Sequence, residues 1–374
     1  MNSRLVAIPP SMIREVHGKK RSTSIDLGLG EPTLPPDPAP LRAALAWVEQ
    51  HGCPYSPNAG FPELRAAIAK HYALAGLDTA EQVGVTVGSQ EALAVAIASL
   101  CEPGTDEVLI IEPAYPLYAK LCDLFGVGVR SVALSPDDGF TPRAELVLRA
   151  LTPATRVLVL ASPANPTGRV WPAAELRALA DGLAQRSGPP AYIVSDEVYS
   201  ELYYGERPLS PAAVWPHTVV VSSLSKSCAL TGLRVGWFIA PKAAASTLHK
   251  AHQFLVSSTT SYGQRAAIEI FARPELLSAH RARYVEKRAV LLEALQESGL
   301  VHVPPEGAFY CVVKLRGAIA HDSLKFALAF LDERDVVVIP GAAFGMEGWV
   351  RLSFAGDEAA MREGVVRLAS FSAA

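Results

Sequence analysis

Seven short apolar runs rich in valine and isoleucine constrain this chain more than any other feature of its sequence. They are Val83–Val87, Val108–Ile111, Val127–Ala133, Val157–Ala161, Tyr192–Val194, Val219–Val221 and Val235–Ala240. Most are apolar throughout rather than alternating, as strands buried on both faces are. Helical segments such as Glu91–Leu100, Leu117–Phe125 and Ala173–Gln185 lie between most of them, and strands alternating with helices predict a parallel sheet covered on both faces. The last two runs have no helix between them, so Val235–Ala240 can pair antiparallel at its neighbour. The expectation is an α/β protein: a large domain with a seven-stranded, mostly parallel sheet sandwiched by helices.

Around this block the pattern changes. Residues 1–25 are polar and predict an irregular arm. Residues 39–51 and the segment opening at Pro62 have helical spacing, the proline falling in a first turn, where it is tolerated. Beyond Pro241 come Lys242–Phe254 and a long amphipathic stretch from Ser261 to about Ser298, broken near Pro274. The last 75 or so residues alternate short strands (Phe309–Lys314, Val336–Ile339, Val350–Phe354) with helices (Leu324–Asp332, Glu358–Leu368), which predicts a smaller α+β domain. The expected division is an arm and part of the small domain over 1–40, the large domain over 41–270 and the small domain over 271–374.

Composition narrows the function. Half of the 374 residues are hydrophobic and the formal net charge is −3, which leaves no basic face for nucleic acid. No run reaches ~18 apolar residues, so no membrane span is expected. The amino terminus has no signal-like apolar region. Five scattered cysteines without a C-x-x-C pair suit free thiols in a reducing cytoplasm. His249 and His252 are three apart on a helix, but no further ligand accompanies them, and no metal site is expected.

Open α/β sheets bind ligands at the carboxyl ends of their strands, and the residues just beyond each run make chemical sense together. After Val83–Val87 comes Gly88-Ser89-Gln90, a turn opening a helix, whose free N–H groups suit a phosphate or an ordinary cap. Tyr115 follows Val108–Ile111 and can stack on a planar ring. Asn165 follows Val157–Ala161 in a rigid turn. Asp196, Glu197 and Tyr199 follow the fifth run. After Val219–Val221 come Ser223, Ser225 and Lys226, with Arg234 eight residues on, a planar fork suited to phosphate. A lysine in this place can form a Schiff base with a carbonyl cofactor. A phosphate seat, a ring plate, an amide, an acid, a tyrosine and an amine on one rim together match pyridoxal 5′-phosphate (PLP). Upstream, Gly28 and Gly30 allow a close backbone approach but lack the third glycine of a dinucleotide fingerprint.

With Asn165-Pro166-Thr167-Gly168, Asp196-Glu197-Val198-Tyr199 and the block Ser223–Gly236 in this order, the chain resembles the class I/II aminotransferases of PLP-dependent fold type I. The likeness runs from Leu29-Gly30-Glu31-Pro32 to Arg351-Leu352-Ser353-Phe354. It implies that Lys226 carries PLP and moves the proton, that Asp196 pairs with the pyridine nitrogen, and that Asn165 and Tyr199 bond the phenolic oxygen. It implies stacking by Tyr115 and phosphate binding by Gly88, Ser89, Gln90, Ser223, Ser225 and Arg234. Tyr55 matches a tyrosine that reaches the neighbouring subunit's phosphate, implying a homodimer. Arg351 matches the arginine for the substrate α-carboxylate, helped by Asn165 and the backbone of Gly30.

The implied activity is amino transfer between an L-amino acid and a 2-oxo acid, 2-oxoglutarate or pyruvate. A PLP-dependent carbon–sulfur β-lyase and a catalytically silent binding or regulatory protein are the alternatives. Gln90 stands where some aspartate-using relatives place a lysine. Tyr115, Tyr118 and Leu34-Pro35-Pro36 are expected around the side-chain pocket, which hints at an uncharged or mixed donor.

Overall fold

The computed structural model describes residues 3–74 and 76–372. Its principal sheet has seven strands, in the spatial order Val83–Thr86, Gly236–Ile239, Thr218–Ser223, Tyr192–Asp196, Thr155–Ala161, Glu107–Glu112, Gly128–Ala133. All seven expected runs are strands of it. Gly236–Ile239 runs antiparallel to both of its neighbours and the remaining pairs are parallel.

Both faces of this sheet are apolar, and alternate residues enter different cores. Leu109, Ile111, Leu158, Leu160 and Ile193 pack on one side, Val108, Ile110, Val157, Val159 and Val194 on the other. Period-two geometry sends neighbours to opposite faces, so a strand covered on both sides is apolar at every position. A buried side chain of this size stabilises by about 1.5–3 kcal/mol relative to an exposed one. The rim is therefore carried by strands that cannot easily shift.

A second, antiparallel sheet has the order Ile339–Pro340, Trp349–Ser353, Tyr310–Lys314, His302–Val303. The expected strand Val336–Ile339 is split. Val336–Val337 pairs in parallel with Ile25–Asp26, and Ile339–Pro340 pairs with Val350 and Arg351. One short segment thus links the chain's beginning to the sheet that holds Arg351. Helix Glu275–Glu297 packs against helix Glu358–Ser372.

Two expectations need correction. Residues 3–25 are not irregular throughout: they include helices Ser3–Ala7 and Met12–Gly18. The second is capped by Ser11, whose Oγ accepts from the Arg14 N–H at 3.4 Å, while Pro9-Pro10 separate the two. The helix expected at Glu91 opens earlier, at Gly88, so Gly88-Ser89-Gln90 is itself the first turn. Among the described residues no helix is long and apolar enough to cross a membrane, and no cluster could hold a metal ion. All five cysteines are free; Cys53 is exposed and the other four are buried.

Candidate active site

Strand ends bring the predicted residues to one cavity of about 730 Å³, lined by Gly30, Ser89, Gln90, Tyr115, Asn165, Asp196, Tyr199, Ser225, Lys226, Arg234 and Arg351 among others. Lys226 lies on a single helical turn, Leu224–Ser227, directly after strand Thr218–Ser223. Its Nζ donates to the Gly30 carbonyl at 2.7 Å. Burial pulls the amine down, Glu31 opposes this, and Arg351 and Arg234 add to it, leaving Lys226 at about 8. A lysine so placed has free amine to offer near neutral pH.

Asp196 closes strand Tyr192–Asp196 and is 6% exposed. Burial raises its carboxyl above the ordinary range, against the Tyr118 hydroxyl at 2.7 Å, the Val198 N–H and the charge of Lys226. A buried carboxylate with only neutral donors in contact is costly until a cation meets it. The Tyr199 hydroxyl lies 3.0 Å from that of Tyr310.

Arg351, in the middle of strand Trp349–Ser353, is 2% exposed. Its Nη1 donates to Asn165 Oδ1 and its Nη2 to the Gly28 carbonyl, each at 2.9 Å. The guanidinium lies over the Tyr310 ring at 4.1 Å, and Nε has no partner. No acid pairs with it among the described residues. A buried guanidinium without a counter-ion is a ready carboxylate site.

The turn at Gly88 is shaped by close approach. Gly88 has φ +74°, and a Cβ there would meet Arg234 Nη2 at 2.5 Å. A Cβ on Gly236 would sit 2.4 Å from the Gly88 carbonyl carbon. Backbone, helix N-terminus and guanidinium converge where any side chain would block them, as a bound phosphate requires. A buried acid, an amine with a lowered pKa and an anion cradle on one cavity are a set that PLP fits.

Other predicted residues lie elsewhere. Ser223 is buried, accepts from the Ser225 N–H at 3.3 Å as a helix cap, and does not line the cavity. Gly30 does line the cavity, while Arg351 bonds the Gly28 carbonyl beside it. Tyr55 is 91% exposed and stands outside the cavity. Leu34 and Pro35 line a separate cavity with Cys228 and His280. His249 contacts the Glu81 carbonyl and His252 contacts Glu91, so the two do not form a ligand pair.

Sequence reading places Tyr118 at the side-chain pocket without its bond to Asp196, and it misses Tyr310, the arm and Lys120. Tyr118 bonds Asp196, Tyr310 supports both Tyr199 and Arg351, and the arm Ile8–Arg14 walls the cavity together with Lys120. Only Tyr118 carries a sequence signal, its place at the start of the helix that follows Pro116.

Residues 22–368 match the family model described as aminotransferase class I and II. The chain belongs to this family. Among curated relatives, the aspartate/prephenate aminotransferase of Thermus thermophilus is 35% identical, over 99% of this chain and 98% of its own. The aspartate aminotransferase of Pyrococcus horikoshii is 32% identical, over 98% and 95%. Of solved structures, a Thermus thermophilus aspartate aminotransferase with maleate superposes with a TM-score of 0.92 at 34% identity, covering 99% of both chains. Class I/II aminotransferases depend on PLP and move an amino group between an amino acid and a 2-oxo acid, and this chain is such a transferase.

Proposed function

We propose that this aminotransferase takes an amino donor whose side chain ends in a carboxylate, aspartate or glutamate, and passes the amino group to a 2-oxo acid. The observation that carries this is the charge of the outer cavity wall. Lys226, Arg351 and Arg234 have work in PLP and α-carboxylate binding, yet Arg14 and Lys120 also line the cavity, and among the described residues Asp196 is the one carboxylate that does. Asp123 partly neutralises Lys120 at 3.3 Å, which leaves Arg14 as the stronger anion receptor. Arg14 replaces, from another element, the cation that Gln90 does not supply. The relatives named for aspartate, and the one solved with maleate, support the same reading.

In this reading PLP, when bound, supplies an electron sink for the bond broken at the substrate's Cα. The chain supplies the rest. Arg351 and Asn165 hold the α-carboxylate and fix the orientation of the Cα–H bond. Lys226 tethers the cofactor and then carries the proton at Nζ. Asp196 keeps the ring nitrogen protonated, Asn165 and Tyr199 bond the phenolic oxygen, and Tyr115 packs on the ring. Gly88, Ser89, Gln90, Ser225 and Arg234 seat the phosphate. Tyr55 reaches the phosphate of a second subunit, which makes the protein a homodimer; its 91% exposure in the single chain supports this. Five free cysteines support a reducing, cytoplasmic setting.

A half-reaction screen tests the proposal. Each amino acid is mixed singly with the PLP form and the loss of its visible absorbance is timed. Aspartate and glutamate should react fastest; faster reaction with alanine or phenylalanine would remove the acidic-donor reading. Pyruvate and ammonia in place of an amino-loaded cofactor would mark a β-lyase.

A further inference from the structure

Behind the turn that seats the phosphate lies a buried pair that the catalytic scheme does not use. His252, on helix Lys242–Val256, has a fully buried side chain. Its Nδ1 is 2.6 Å from Glu91 Oε1 and its Nε2 is 2.7 Å from the Asn58 carbonyl. The other oxygen of Glu91 accepts from the Val87 N–H, the residue before Gly88. One ring thus joins the loop Tyr55–Gly60 to the start of the phosphate turn.

The hydrogen-bond inventory decides the ring's charge. A carbonyl only accepts, so Nε2 carries a proton. Glu91 lies in the first turn of helix Gly88–Leu100 and accepts from Val87, and both the helix N-terminus and that N–H favour its carboxylate form. Nδ1 therefore carries a proton too, and the ring is an imidazolium. Burial works to lower its pKa, but the bond and charge of Glu91 and the Asn58 carbonyl outweigh this and raise it. The ionisable side chains that bear on it are Glu91 from helix Gly88–Leu100 and His249 from its own helix, with Arg65 acting on His249. The loop contributes the Asn58 carbonyl.

We infer that His252 is a positioning residue for cofactor binding: as an imidazolium it holds Glu91, and through Glu91 the Val87–Gln90 turn, in the shape that grips the phosphate. The inference rests on the reading of that turn as the phosphate seat. Loss of the proton leaves one of the two contacts without a donor, so the grip is complete at low pH and is lost as pH rises through the raised pKa of the ring.

Cofactor release from the holoenzyme tests this. Wild type, His252→Gln and Arg234→Ala are loaded with PLP, desalted, and followed by absorbance between about pH 6 and pH 9. Wild-type release should step up as pH rises. His252→Gln should release about tenfold faster at the acid end and show no step. A purely structural role would change the rate but leave the step in place. Equal rates with the same step in both proteins overturn the inference. If Arg234→Ala leaves release unchanged, the phosphate-seat reading itself fails; if it speeds release while His252→Gln matches wild type, only the inference fails. Should His252→Gln not fold, Glu91→Gln keeps an oxygen for the Val87 N–H but drops the charge. That variant should lose the same step, and its retention overturns the inference.

Discussion

The cavity wall made of strand ends and the wall made of the amino-terminal arm are held in different ways. Strand Tyr192–Asp196 is buried along its whole length and paired on both sides. Helix Met12–Gly18 is seven residues long and buries only Val16. Isolated helices shorter than ~12–15 residues are marginal in water, so this one depends on the surface it lies against. The groups that we assign to the cofactor sit on the rigid wall, and the charge that we assign to the substrate side chain sits on the yielding one. The chemistry needs fixed geometry at Cα, whereas side-chain recognition tolerates adjustment. Specificity should therefore change with less damage than catalysis.

Four substitutions bear on that contrast, from the rigid wall outward. Lys226→Ala should slow the half-reaction by about 10³-fold with an unchanged circular dichroism spectrum; a loss under tenfold would break the assignment. Arg351→Ala removes a buried cation and should lower kcat/KM by about 10²-fold for every amino acid alike. A loss confined to acidic substrates would instead move Arg351 to the side-chain end. Tyr118→Phe takes a donor from Asp196 and should cost about tenfold. Because burial already raises the Asp196 carboxyl and Tyr118 opposes it, the acid limb of the kcat/KM profile should move to higher pH. A limb that stays in place would show that Tyr118 does not tune Asp196. Arg14→Ala should have the smallest effect, about fivefold for aspartate and glutamate and none for alanine. Equal losses across substrates would leave the arm as mere covering.

The same contrast decides what was legible in the sequence. Asn165, Asp196 and Lys226 stand out because each follows within a few residues of an apolar run, and burial on both faces makes such runs conspicuous. The arm is polar and short, its second helix is set by Ser11 capping and by the surface beneath, and nothing in its spacing separates it from a disordered tail. Tyr310 was missed for a different reason. Within a strand it reads as core, and its hydroxyl matters only because the second sheet brings it to Tyr199. Ser223 is the reverse case: a hydroxyl beside Lys226 that the resemblance puts at the phosphate instead caps the turn that carries the lysine and does not line the cavity. Local hydrogen bonding competes for serines at helix starts, and spacing alone does not show which partner wins.

The cysteines have a practical consequence. Burial pushes the thiols of Cys101, Cys122, Cys228 and Cys311 up to about 12, so they stay protonated and inert at working pH. Cys53, the exposed one, lies two residues before Tyr55. A maleimide dye should attach there at one per chain without any engineered cysteine. Its emission would then test the proposed homodimer: a change on dilution reports association at the Tyr55 loop, and a constant signal speaks against it.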